Sequence, residues 1–316
     1  MIDILLSGCT QGLIWGILAL GFYIAFRILD FADMTCEGCI TLGATIAALC
    51  IWKGINSFLA MPIAFLAGCI AGAVTGVLHT KLKIPPILSG ILTMSALYSI
   101  NIHIMGAATG ADGTANLSLL KFSDSTIFSI IKTVIPLTKQ NVALIFGILI
   151  TIAVVSILYW FFGTELGCTI RATGNNEKMC RAQGINTDNT KIIGLAIANG
   201  LIALSGCLLC QYQGYADVKM GVGSIVIGLA SIIIGEALFA RARNFYIRLL
   251  GIVTGSIIYR VIVALVIYSG MPSDDLKLMT AVVVVLALAF TNFRGALAKR
   301  VKIIVNYFKS GKGGEA

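Results

Sequence analysis

Apolar residues run along this chain in blocks of about 20, the length a helix needs to cross the hydrocarbon core of a bilayer. Nine blocks are predicted as spanning helices: 4–26, 34–52, 59–79, 86–106, 142–162, 191–212, 223–240, 249–268 and 277–293. Eight to ten spans fit the same pattern, because block boundaries shift by a few residues. Prolines support the division. Pro62, Pro85 and Pro86 fall at block starts, where a missing N–H costs little, and Pro136 and Pro272 fall in connections. The expectation is an all-α, polytopic transmembrane helical bundle: one membrane domain over 1–293 and a basic tail over 294–316.

Polar positions are concentrated in a few places. The run Gly163–Thr190, GTELGCTIRATGNNEKMCRAQGINTDNT, mixes Glu165, Arg171, Glu177, Lys178, Arg181 and Asp188 between two apolar blocks. Arg27, Asp30, Asp33 and Glu37 place four charges in eleven residues without a loop-like composition. That segment fits a short turn. It fits equally a broken helix dipping to bilayer depth, with Asp30, Asp33, Thr35 and Glu37 on a translocation path and an added crossing or re-entrant piece. Arg260 stands about twelve residues into the eighth block, a depth at which a cation faces protein or an aqueous cavity. Glu236 in the preceding block is its expected partner, in a structural ion pair or on a pathway. The long connection 107–140 holds Ser123-Asp124 as a helix cap before Ile127, Ile130, Ile131 and Val134, an amphipathic helix expected on the outer surface.

Composition turns this pattern into a class. Of 316 residues, 58% are hydrophobic and 12% charged, with a mean hydropathy of +0.95, whereas soluble domains carry about 25% charge. Such a chain cannot cover itself with water, so lipid must solvate much of it. The net charge of +9 does not imply nucleic acid, because the basic residues lie in short segments between apolar blocks. With Gly163–Thr190 placed in the cytoplasm, sixteen Lys and Arg fall on the inside and six outside, which sets the N-terminus out and the tail in. The start has no basic region like that of a cleavable signal peptide.

Nine cysteines include Cys36-x-x-Cys39 and Cys207-x-x-Cys210. No histidine is near either pair in sequence, and both lie in apolar runs, so they read as small apolar helix residues. Gly8, Gly12 and Gly16, then Gly68, Gly72 and Gly76, then Gly251 and Gly255 form small-residue stripes that let helices approach closely in lipid. The chain has no G-x-x-x-x-G-K-[ST], H-E-x-x-H, G-x-S-x-G or G-x-G-x-x-G pattern. It is therefore expected to be no enzyme, to hold no metal or cofactor, and to draw any pumping energy from another subunit.

The polar run resembles the cytoplasmic coupling segment of bacterial ABC permeases of the branched-chain amino acid and ribose type. The residues carrying the resemblance are Ile170-Arg-Ala-Thr-Gly174, Cys180-Arg-Ala182 and Gly184-Ile-Asn186, followed by Leu204-Ser-Gly206. It continues through Ala230-Ser-Ile-Ile-Ile-Gly235-Glu and Gly251-Ile-Val-Thr-Gly255, and near the start through Ala19-Leu-Gly21 and Asp30-Phe-Ala-Asp33. Within that family, Gly255-Ser-Ile-Ile-Tyr-Arg260 and Asp275-Leu-Lys-Leu278 are similar to permeases of tryptophan and tyrosine uptake. Glu236 departs from the pattern, standing where sugar and branched-chain permeases usually have glycine.

The resemblance implies a permease fold and an imported amino acid, an aromatic one by that closer likeness. It implies two ATP-binding subunits that hold ATP and magnesium, a second permease copy, and an external solute-binding protein, in a bacterial inner membrane. It also implies that Arg171, Ala172, Gly174, Lys178, Arg181, Ala182, Gly184, Ile185 and Asn186 couple the chain to the ATPase. A short helix at 176–182 between Gly174 and Gly184 would form a rigid knob with sharp turns at its ends. The competing readings are an ion-gradient-driven transporter or channel acting alone, and a membrane scaffold.

Overall fold

The computed structural model describes residues 2–110, 114–119, 122, 126–134, 138–239 and 244–268, with the four positions 278, 281, 282 and 285. The rest of the expected ninth span, the tail, Arg241, Arg243, the Ser123-Asp124 cap and the Asp275-to-Leu278 pattern apart from Leu278 lie outside the described residues. Eleven α-helices are described: α1 (Ile2–Phe22), α2 (Thr35–Trp52), α3 (Ser57–Thr80), α4 (Pro86–Thr109), α5 (Ile127–Val134), α6 (Lys139–Gly163), α7 (Glu165–Asn175), α8 (Glu177–Ala182), α9 (Thr187–Gln213), α10 (Ser224–Leu238) and α11 (Phe245–Tyr268). Strands β1 (Asn116–Ser118) and β2 (Tyr215–Asp217) form a small antiparallel ribbon, with Leu117 opposite Ala216.

Seven of these helices are long and apolar enough to cross a membrane. The expected span 223–240 is instead α10, with only 15 residues, about 22 Å of helix against roughly 30 Å of hydrocarbon. It is short because residues 218–223 run back along the first turn of α2 before the helix starts. The Glu37 side chain caps the incoming chain there, Gly223 N–H donating to its Oε1 at 2.9 Å.

The core is α9, buried along most of its length between α1, α2 and α3. Glycine stripes make this packing possible. Gly8, Gly12 and Gly16 of α1 face Val261, Ile257 and Val253 of α11. Gly68, Gly72 and Gly76 of α3 face Asn199, Leu195 and Ile192 of α9. A Cβ on Gly12 would stand 2.6 Å from the Ile257 Cα, so the backbones touch where side chains would hold them apart. In lipid, where apolar burial between helices drives little, this contact is the main attraction. The CxxC cysteines lie buried and free in α2 and α9, as small apolar residues do.

One end of the bundle carries α7 and α8. The other carries the β ribbon and α5, whose Ile127 N–H donates to Gln211 Oε1 at 3.1 Å. Phe128 meets Phe146 and Tyr212 edge-on. With Ile127 and Phe128 buried, α5 closes this end of the bundle through its first turn.

Gly72→Ala places a Cβ inside contact distance of the Leu195 carbonyl, whereas Gly147→Ala meets only the Leu13 side chain, at an ordinary 3.4 Å. The first substitution should cost about 1–3 kcal/mol and lower the thermal midpoint of the purified protein, and the second should leave it unchanged. Equal midpoints would refute the close-packing account.

Candidate functional site

The segment from Arg27 to Glu37 forms a broken helix. After α1 the backbone widens into a π-helical turn, Tyr23–Ile28, then leaves helical geometry until Thr35. Asp30 makes the corner in the left-handed region, at φ 52°, a conformation that aspartate tolerates better than most residues. Asp33 is fully buried. Its Oδ1 accepts from Thr35 N–H at 2.9 Å, and its Oδ2 accepts from Asn199 Nδ2 at 2.6 Å. Asn199 lies midway along the 27-residue α9, so α2 begins halfway across the bundle. No extra crossing results, since 29–34 re-enters between α1 and α2. The Thr35 hydroxyl is bonded to Thr75, and Thr75 donates to Thr93, tying α2, α3 and α4 together.

A second break faces the first. Between β2 and α10, Gly221 packs on the Glu37 carbonyl and Gly223 takes a left-handed φ of 85°. Thus α2, of 18 residues, and the shorter α10 start near one another inside the bundle and run to opposite ends. Of the expected pathway residues, Asp33, Thr35 and Glu37 are gathered at this junction, and Asp30 stands exposed at the corner of the break. Asp33 and Thr35 are wholly engaged in holding it, and Glu37 faces open space.

Glu236 and Arg260 are elsewhere, and the expected pair between them does not form. Glu236 instead takes Arg27 in a two-pronged pair, Nε to Oε1 at 2.9 Å and Nη2 to Oε2 at 3.0 Å. Glu236 belongs to the last turn of α10, at the end of the bundle where α1 breaks, while Arg260 lies farther along α11. The pair flanks a crevice of about 230 Å³ lined also by Tyr23, Phe239 and Arg248. It is half exposed, and such pairs contribute only about 0–1 kcal/mol, so its effect is to fix the position of α10 against the break. Arg260 lays its guanidinium over the Trp15 ring, 4.0 Å from the centroid. Its buried Nε has no hydrogen-bond partner among the described residues.

The polar run forms a hairpin of short helices, each with a side-chain cap. Thr164 accepts from Gly167 N–H, Asn176 from Met179 N–H, and Asn186 from Asn189 N–H. Gly184 turns the chain at φ 80° with nothing near its α-carbon substituent position. Arg181 staples α8 to α9: its Nε donates to Thr187 Oγ1 at 2.7 Å, and its Nη2 donates to Glu177 at 2.9 Å and to Asp188 at 3.1 Å. Lys191 Nζ reaches the other Glu177 oxygen at 2.8 Å.

Lys178, Met179, Ala182, Gly184 and Asn186 remain exposed, and Ile185 is half-buried. Arg171 lies over the Phe245 ring at 4.9 Å. Beside Ala172 and Thr173, Gly174 presses against the Ile28 carbonyl and Leu29, so the hairpin abuts the first helix break.

Sequence reasoning missed Asn199 and Asn101 as partners of the broken segment. The available signal was an amide in the middle of an otherwise apolar block. It also missed Arg27–Glu236, which are 209 positions apart.

Seven apolar helices long enough to span, two helix starts inside the bundle and a polar hairpin at one end define a multi-pass membrane protein. Residues 4–289 match the family described as "Branched-chain amino acid transport system / permease component", and the chain belongs to it, as the permease component of an ABC transporter rather than a catalytic enzyme. It is 43% identical over 295 residues to the tyrosine transport system permease protein of Clostridioides difficile, covering 93% of this chain and 94% of that one. It is 27% identical to the ribose import permease protein of Escherichia coli K12, over 60% of this chain and 56% of the relative. The fold is similar to a chain of an inward-facing ABC transporter assigned to the metal-chelate type. There the TM-score is 0.51 at 14% identity, with 93% of this chain and 85% of the other covered.

The hydrogen bond from Lys191 is the largest of the influences that hold the Glu177 carboxyl below its ordinary value of 4.5, and the charges of Lys191 and Arg181 add to it. A carboxyl depressed on folding stabilises the fold above its ordinary value and loses that contribution as pH falls through the lowered one. Hydrogen exchange in α8 should therefore be flat from pH 8 to 6, after correction for the intrinsic rate. It should accelerate only below about 4.5; acceleration near pH 6 would exclude Glu177 as the cause.

Proposed function

We propose that this chain is the permease of an ATP-driven importer of an aromatic amino acid, with tyrosine first among them, in a bacterial cytoplasmic membrane. The observation that carries the substrate is the near full-length 43% identity with the tyrosine permease. Sugar-importing relatives match less of the chain at lower identity. In this reading two copies form the translocation unit, two ATPases holding ATP and magnesium dock on the inside, and a solute-binding protein docks outside. The chain itself holds no cofactor. The basic tail and the α7–α8 hairpin are cytoplasmic, as the charge bias favours.

The mechanism is mechanical. The exposed face of α8, with Lys178, Met179, Ala182 and Gly184, enters a groove of the ATPase, and Arg171, Arg181, Ile185 and Asn186 keep the hairpin rigid. Movement of the hairpin passes from α7 through Gly174 to Ile28 and Leu29, where α1 breaks. Rocking of the broken helices then alternates access to a path walled by Asp30, Asp33, Thr35 and Glu37. Arg27–Glu236 marks its inner mouth, and Arg260 holds α1 against α11 through Trp15.

Proteoliposomes carrying the chain with its ATPase should take up tyrosine only when the binding protein is outside and ATP inside. Gradient-driven uptake by the chain alone would sink the proposal. Met179→Glu puts a charge on a 47% exposed side chain that makes no part of the staple. It should leave the protein folded and cut ATP-driven uptake about tenfold or more, as loss of a central interface anchor does. Gly174→Ala drives a Cβ into the Ile28 carbonyl, so it should push the hairpin off the α1 break and lower both uptake and the thermal midpoint.

A further inference from the structure

Beside the junction of the two breaks lies an open cleft of about 270 Å³, lined by Glu37, Met94, Tyr98, Asn101, Val218 and Val222. Small-molecule sites usually begin at about 300 Å³, so the space suits a small solute. Its polar lining is the Glu37 carboxylate, the Asn101 amide and the hydroxyls of Thr41, Ser95 and Tyr98. Glu37 commits Oε1 to Gly223 N–H. Its Oε2 accepts no hydrogen bond from a described residue, and no described Lys or Arg pairs with it.

Asn101 is 1% exposed. Its Nδ2 donates to the Gly38 carbonyl at 3.3 Å, which leaves Oδ1 shielded from water with no partner among the described residues. A buried acceptor without a donor carries an uncompensated desolvation penalty, which a ligand bringing N–H groups would remove. The rest of the wall holds Met94, Val218, Val222, the Thr41 and Ser95 hydroxyls, and the Tyr98 ring, which is 52% exposed.

We propose that this cleft is a stopping site for the transported solute. A primary ammonium donates there to Glu37 Oε2 and Asn101 Oδ1, and an aromatic ring lies against Tyr98 and Met94. The aromatic part rests on the reading of the substrate given above; the ammonium part rests on the cleft alone. The site recognises the amino end of its ligand and makes no demand on the carboxylate, because no cation lines it. One ammonium carries three N–H donors, enough for both acceptors. The first turn of α2 and the start of α10 both border the cleft, so its occupancy reports directly on the broken helices.

The test uses the full chain in detergent and saturation-transfer NMR, which detects millimolar binding. Three probes share one ring: L-tyrosine, tyramine (no carboxylate) and 3-(4-hydroxyphenyl)propionate (no ammonium). Tyrosine and tyramine should give signals that fall about tenfold in Glu37→Gln, as loss of one charge-assisted hydrogen bond allows. The propionate should give only the background also seen in the variant. Glu37→Gln keeps the acceptor for Gly223 N–H, so the fold should survive.

If that variant does not purify, Tyr98→Ala, at an exposed side chain, should lower the tyramine signal by the same order. Binding of the propionate equal to that of tyramine, or variant signals equal to the wild type, would overturn the proposal. Tyramine binding without tyrosine uptake in proteoliposomes would leave the site standing and remove the importer reading instead.

Discussion

A chain that interrupts its helices inside an apolar bundle exposes backbone N–H and C=O groups where no water can satisfy them, each costing several kcal/mol if left unpaired. Much of this structure follows from how that cost is met. Asp33 covers the start of α2 and is itself held by Asn199 at the middle of α9. Glu37, four residues further on, covers the start of α10. Two carboxylates and one amide thus allow two helices to begin at half depth, which creates polar space between them without opening the fold to lipid.

The glycine stripes serve the same constraint from the other side. Without a hydrophobic drive between helices in lipid, α9 stays central only because α1, α2 and α3 can bring their backbones against it. Gly43, Gly68, Gly72 and Gly206 all lie at such contacts. Close packing along α9 and the two backbone breaks divide the molecule into a central frame and two helices, α2 and α10, that start within it. The hairpin of α7 and α8 touches the break after α1 through Gly174 and is braced to α9 by Arg181 and Lys191.

Much of this was legible beforehand. Seven long helices fall on expected blocks, the stripes face helices as small residues do, and the residues around Glu177 and Arg181 form the short helix expected between Gly174 and Gly184. The pairing of charges was not legible. Arg260 and Glu236 are the obvious intramembrane partners by composition, yet Glu236 meets Arg27 and Arg260 stacks on Trp15. Partner choice depends on depth along each helix, and α10 starts late because of its break, which places Glu236 at the same end as Arg27.

Local chemistry therefore determined what the sequence could settle by itself: that the chain lives in lipid, where its helices lie, which faces are small enough to touch, and that one polar hairpin stands apart. Periodicity, length and charge are properties of neighbouring residues. Tertiary structure alone decided whether 27–38 was a turn or a broken helix. That outcome rests on Asn199, 166 positions away from Asp33, and on Gly223, 186 positions away from Glu37. A backbone break is tolerable only if distant groups arrive to satisfy it, and distance along the chain carries no trace of that meeting.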